Sequence, residues 1–372
     1  MIKTLDREFF KSWFWPSASS LLVFIILFFI GDLLGSTDKL IEHWPGFSVL
    51  TEYYFFRLTY LSYFFLPMSV LLGGFWGLCN WRDTNEWTVA LTGGRHPFRL
   101  LILPILSLII LTLIMILYSF WLLPTVASRA ISLRDVQIKG RQEKTPLFEN
   151  IHLRLTESRS IKIGLFQPED KLLKNIVITD KDAARIVKRY DAPRADYIKN
   201  EGWLMRDITT RIFKRGGEHT TTQNDTKLIA LQPPQFLKSI LETNPRYSDK
   251  KPEQYKSSEL LKAIRFRQQR NMDAGAELVF LHWKLSFPLS IVVLGIAGLL
   301  LGVKSNLTKA AGVGFCLLLS FSYWIIYNSF IALGTSAYFM FLPENIGAAL
   351  AAYLPVILFS GLNLYLSPGF SE

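Results

Sequence analysis

Six apolar stretches stand out along the chain: Ser17–Leu34, Phe55–Leu78, Leu100–Leu123, Leu285–Leu301, Ala310–Leu333 and Ile346–Leu366. About 20 helical residues cross the roughly 30 Å of bilayer hydrocarbon, so each stretch predicts a transmembrane helix. The first has no small-residue cleavage site behind it and is expected to stay as a span, not to act as a signal peptide. Three spans precede and three follow one long polar segment, which divides the chain into residues 1–123, 124–277 and 278–372. Inside that segment the period drops to two. Ile151–Leu155, Ser160–Phe166, Leu172–Thr179, Asp196–Ile198, Gly202–Asp207, Thr210–Phe213 and Thr226–Ala230 are short runs separated by turn-type clusters, several with apolar and polar residues alternating. They predict strands of a sandwich, jelly roll or related antiparallel sheet. Gln235–Leu241 and Ser258–Arg270 predict helices, with Ser257 or Ser258 as N-cap. The expected fold is an α-helical membrane protein with an inserted all-β domain: six transmembrane helices flanking a β-jellyroll-like domain.

Composition supports this class. Half of the residues are hydrophobic, only 19% are charged, and mean hydropathy is positive. Soluble domains carry about 25% charged residues, so a soluble enzyme is disfavoured. Two cysteines cannot staple 372 residues, which excludes a disulfide scaffold. The net charge of +11 would suggest nucleic acid until it is located: Pro124–Glu277 holds 30 Lys and Arg against 20 Asp and Glu. The basic residues there are scattered among acids and form no nucleic-acid motif. Short loops set the orientation. Lys3, Arg7, Lys11, Arg82, Arg95, Arg99, Lys304 and Lys309 fall on one side, whereas the other offers only Lys39 and, at a helix boundary, Arg57. That bias predicts cytoplasmic termini and an external polar domain.

Catalytic signals are missing. There is no phosphate-binding G-x-x-x-x-G-K-[ST], no zinc spacing among the His residues, no C-x-x-C and no G-x-S-x-G elbow. No catalytic residue, metal or cofactor is therefore expected. The most informative loop is Asn80–Arg99, between the second and third spans. Asp83-Thr84-Asn85-Glu86 has the form of a capping box, with Asp83 as N-cap and Glu86 at the third helical position. A short helix over Thr84–Thr92 would follow, stopped by Gly93-Gly94. It would present Glu86, Trp87, Val89, Ala90 and Leu91, the shape by which a permease docks on an ATPase. The alternative is that Glu86 only caps the helix and Trp87 only anchors it at the headgroups.

The stretch Asn85–Arg99 (NEWTVALTGGRHPFR) resembles the coupling segment of the LptF/LptG permease family of lipopolysaccharide export, with Glu86 and Gly94 at the family's spacing. Leu5-Asp6-Arg7 with Phe10 resembles the family's opening block. Glu277, His282-x-Lys284 and Pro288-Leu289 resemble its approach to the fourth span, and Gly202-Trp203-Leu204 a strand of its periplasmic domain. The resemblance implies an inner-membrane permease subunit of a Gram-negative bacterium that extracts lipopolysaccharide. It implies a homologous six-span partner (LptF with LptG), an LptB-type ATPase dimer and an LptC-type periplasmic bridge. ATPase coupling would then fall to Arg82, Glu86, Trp87, Val89, Leu91 and Gly94, and the first and fifth spans would form lateral gates. Lys39 and Arg57 are the candidates for lipid headgroup contact, with interfacial anchoring as the alternative for both. Asp32 departs from the basic residue that some members carry there, and is expected to pair with a cation on the partner or on LptC. His282, Trp283 and Lys284 are expected to anchor the chain at the interface. Two other classes stay open: a membrane enzyme acting on lipid or glycan headgroups, and a ligand-sensing membrane scaffold.

Overall fold

The computed structural model describes residues 4–138, 147–182, 185–213, 219–304, 308–336 and 342–367, apart from residues 43, 95, 200, 230, 245, 246 and 249. Internal contacts divide the chain into two units. One comprises Met1–Arg141, Pro252–Gln254 and Val279–Glu372; the other comprises Gln142–Lys251 and Tyr255–Leu278.

The first unit is helical. Among the described residues, helices α1 (Thr4–Glu42), α2 (Phe47–Asp83), α4 (Pro97–Trp121), α8 (Gly275–Lys304), α9 (Lys309–Thr335) and α10 (Glu344–Leu366) are the six that are long and apolar enough to cross a membrane. Each contains one of the six apolar stretches, or all of it but its last residues. Helices α1 and α2, of 39 and 37 residues, run well past the hydrocarbon length and carry charged residues at their ends. Small residues let the helices approach. A Cβ on Gly298 of α8 would collide with the Leu71 carbonyl of α2, and one on Gly77 of α2 would sit 2.5 Å from the Ser12 carbonyl of α1.

Between the third span and the polar unit the chain stays helical, where the sequence pattern predicts only a connection. Helix α5 (Leu123–Ser132) continues into a π-helical segment, Leu133–Ile138. Pro124 fits the first turn of α5, where no N–H is needed. Leu123, Val126, Ala127 and Ala130 bury one face, so residues 124–138 pack with the spans rather than with the sheet.

The second unit holds one six-stranded antiparallel sheet: β1 (Phe148–Arg154), β2 (Arg159–Gln167), β3 (Leu172–Asp182), β4 (Arg185–Ile198), β5 (Gly202–Phe213) and β6 (His219–Ile229). The inserted β domain is present. Its strands pair in strict sequence order, a meander and not the Greek-key connectivity of a jelly roll. Ile161, Ile163, Ile176, Ile178, Trp203 and Met205 fill one buried face, with Leu237 and Leu241 of helix α6 (Pro234–Glu242) against it. Helix α7 (Ser257–Gln268) starts one residue earlier than predicted, with Lys256 in place of Ser257 or Ser258 as N-cap.

Two strands read wrongly from sequence for one reason. In β5 the buried positions are Trp203 and Met205, then Ile208 and Thr210. Asp207 adopts a left-handed φ of 53° and shifts the alternation by one residue, so a single strand looks like two runs. Strand β4 changes parity opposite it, from Tyr190 and Ala192 to Ala195. Its charged residues hide it further. They pair along and across strands, as in Arg189 with Asp191 at 2.8 Å and Arg206 with Asp196 at 3.2 Å.

Candidate functional site

The loop after the second span is built differently from the predicted capping box. Helix α2 runs through Asp83, so Asp83 caps nothing; its carboxylate pairs with Lys309 at 3.1 Å. The turn is made by Thr84 and Asn85, the latter left-handed at φ 60° and standing as N-cap without a side-chain hydrogen bond. Helix α3 then spans Glu86–Thr92, and Gly94 at φ 75° ends it as the sequence predicts. Glu86 sits in the first turn of α3, where a carboxylate favours the positive end of the helix dipole.

The two faces of α3 divide sharply. Trp87 and Ala90 are buried and Leu91 is half-buried against the same cluster. Trp87 packs near the Phe9 ring, 6.2 Å between centroids, and Phe9 meets Trp81 edge-on at 4.8 Å. Trp87 is therefore neither on the outward face nor a headgroup anchor. Glu86 and Val89 are exposed, Val89 at 67%. Half-buried Arg82 lies at the end of α2 and donates to the Gly302 carbonyl of α8 at 3.4 Å. Of the six predicted coupling residues, Glu86, Val89 and Gly94 lie on the surface, while Arg82, Trp87 and Leu91 support them from inside.

A second cluster joins α1 and α2. Asp32 lies 3.7 Å from Arg57, with only 5% and 14% of their side chains exposed. The Tyr53 hydroxyl donates to Asp32 at 2.7 Å, and the Arg57 guanidinium lies over the Phe28 and Tyr60 rings at 5.3 and 5.5 Å. Asp32 thus has a cation within the chain. An intrachain pair compensates a carboxylate at membrane depth, where an unpaired one would be costly. The Lys39 side chain lies outside the described residues.

The segment His282–Lys284 is also not an interfacial anchor. Trp283 is buried and stacks on Phe287 at 5.5 Å, while Lys284 is wholly buried and donates to the Ser119 carbonyl at 3.0 Å. Sequence reasoning also missed a buried carboxylate. Glu253 sits in a polar PEQ turn that reads as an exposed loop, yet it is buried and accepts from the Tyr60 hydroxyl at 2.5 Å.

With this geometry in place, comparison with known proteins is decisive: the family model described as lipopolysaccharide export system permease LptF/LptG matches residues 7–368. The chain belongs to the LptF/LptG family. No curated protein matches it. As an LptF/LptG permease it serves lipopolysaccharide export from the inner membrane, which it crosses with six spans. Among the described residues no three His, Cys, Asp or Glu gather as metal ligands. The family match excludes neither wing of the molecule, since it takes in both sets of spans and the sheet between them.

Proposed function

We propose that this LptF/LptG chain works beside a homologous six-span subunit, driven by an LptB-type ATPase dimer that docks on α3. The observation that carries this reading is the division of α3. Trp87 and Ala90 fix the helix to the bundle, and Glu86 and Val89 are left outward as one small acidic and apolar surface. A helix so held passes a push on its outer face to Phe9 in α1 and Trp81 in α2. The basic short loops on the same side support a cytoplasmic position for α3 and both termini, with the sheet in the periplasm.

The cargo path follows from the unpartnered surfaces. On α1, Leu22, Ile26, Ile30 and Leu34 are exposed; on α9, Leu318, Phe321 and Ile325 are. These faces suit a gate against the homologous subunit through which acyl chains enter sideways. Arg57, paired with Asp32 but not fully enclosed, and Lys39 supply positive charge for phosphorylated headgroups. The sheet then hands lipopolysaccharide to an LptC-type bridge. Affinity purification of the tagged chain in mild detergent tests the assembly. A soluble ATPase, a second six-span chain and lipopolysaccharide are expected in the eluate. A chain that purifies alone under conditions that preserve membrane complexes would sink the reading.

A further inference from the structure

We infer that Glu253 and Lys284 form a buried latch that fastens the short strap Pro252–Gln254 into the helical bundle. Strap and bundle belong to one unit, although the chain enters and leaves the strap through residues of the sheet unit. The strap is a single 3-10 turn that packs on α5, and such a turn has almost no stability of its own. What holds it is chemistry. The Glu253 carboxylate is 5% exposed and accepts from Tyr60 of α2; the Lys284 ammonium of α8 is 0% exposed and donates to Ser119 of α4. The two charges are joined through α2: Tyr60, which holds Glu253, lies one turn from Tyr63, which meets the Ser119 that holds Lys284. Tyr63 closes the cluster by donating to the Ser119 hydroxyl at 3.3 Å.

Each charge would be out of place alone. A buried ammonium loses its water, and one carbonyl hydrogen bond at the negative end of α4 does not replace three donors' worth of hydration. A buried carboxylate with one phenol has the same shortfall. Together they are compensated, and each selects the position of the other. Membrane helices alone would pack with Met at 284 and leave the strap free; the charged pair specifies where the strap sits. Glu253 and Lys284 are thus positioning residues that act on the strap and on the outer turns of α2, α4 and α8, not on the cargo.

The test is a double-mutant cycle on the intact permease in native membranes, made with Glu253→Gln, Lys284→Met and both together. The readouts are thermal stability in detergent and the rate of tryptic cleavage after Lys256, an exposed residue just beyond the strap. Either single change is expected to speed cleavage on the order of tenfold, as for residues of one network whose opening controls proteolysis. The double variant should return most of the way to wild type, because both uncompensated charges are gone. If a single variant fails to accumulate, recovery of the double variant in membranes supports the latch, and its equal absence overturns it. Single effects that merely add, or a Lys284→Met chain indistinguishable from wild type, would also overturn it.

Discussion

Asp32 and Arg57 show how a membrane protein handles charge residue by residue. The sequence alone points Arg57 to a headgroup and Asp32 to a partner's cation, because it shows one charge at a time; the fold also sets the two against each other. Removing one member should cost more than removing both. Arg57→Ala is expected to lower stability by about 3 kcal/mol, and adding Asp32→Asn should recover part of that loss; thermal melts of the purified complex check the order. On the sheet, Arg159 clamps Asp180 with hydrogen bonds of 2.5 and 2.8 Å. Those hydrogen bonds first, then the charges of Arg159, Lys227 and Lys188, hold the Asp180 carboxyl below its ordinary value against the opposing effect of burial. Because the folded value is the lower one, the pair contributes fully above the unfolded value of about 4 and is lost as pH falls through the folded value. Both groups are partly exposed, so the contribution is at most about 1 kcal/mol. Amide exchange in β2 and β3 should rise below pH 4 more in wild type than in Asp180→Asn, and equal rises would refute it.

At the level of elements, α3 is fixed by one side chain more than by its own seven residues, since a helix of two turns is marginal alone. Trp87→Ala should remove about 3–5 kcal/mol of packing and loosen α3 without unfolding the spans. Hydrogen exchange over Glu86–Thr92 would increase sharply while α2 and α4 stay protected; unchanged exchange would mean that Trp87 does not hold the helix. The existence of α3 and its stop at Gly94 were legible in the sequence. Its start was not, because Arg82-Asp83-Thr84 contains no helix breaker and α2 simply continues to the left-handed Asn85. The same holds for the sheet. Isoleucine-rich β2 and β3 change parity too, between Ile163 and Phe166 and between Leu173 and Ile176, but their apolar residues are dense enough to read as strands; in β5 the charged Arg206 and Asp207 at the shift split the run, and β4 is masked by its arginines. Local pattern reports burial well, and it reports parity shifts and cross-strand ion pairs poorly.

The whole molecule combines a six-span bundle with a meander sheet of the LptF/LptG family. The spans were legible because nothing else places so many apolar residues in unbroken runs. Glu253 and Lys284 were not, since their meaning depends on a turn far away in sequence from the α2 and α5 residues it lies against. In the proposed function, energy enters through the outer face of α3 and reaches the lipid path through the aromatic contacts beneath it. The most direct test is ATP-driven release of lipopolysaccharide from proteoliposomes of the full complex carrying Glu86→Arg with Val89→Asp. The expected result is a permease that accumulates normally and melts like wild type, with release reduced at least about tenfold, as for a lost interface contact of about 1–2 kcal/mol. Release at the wild-type rate would contradict it.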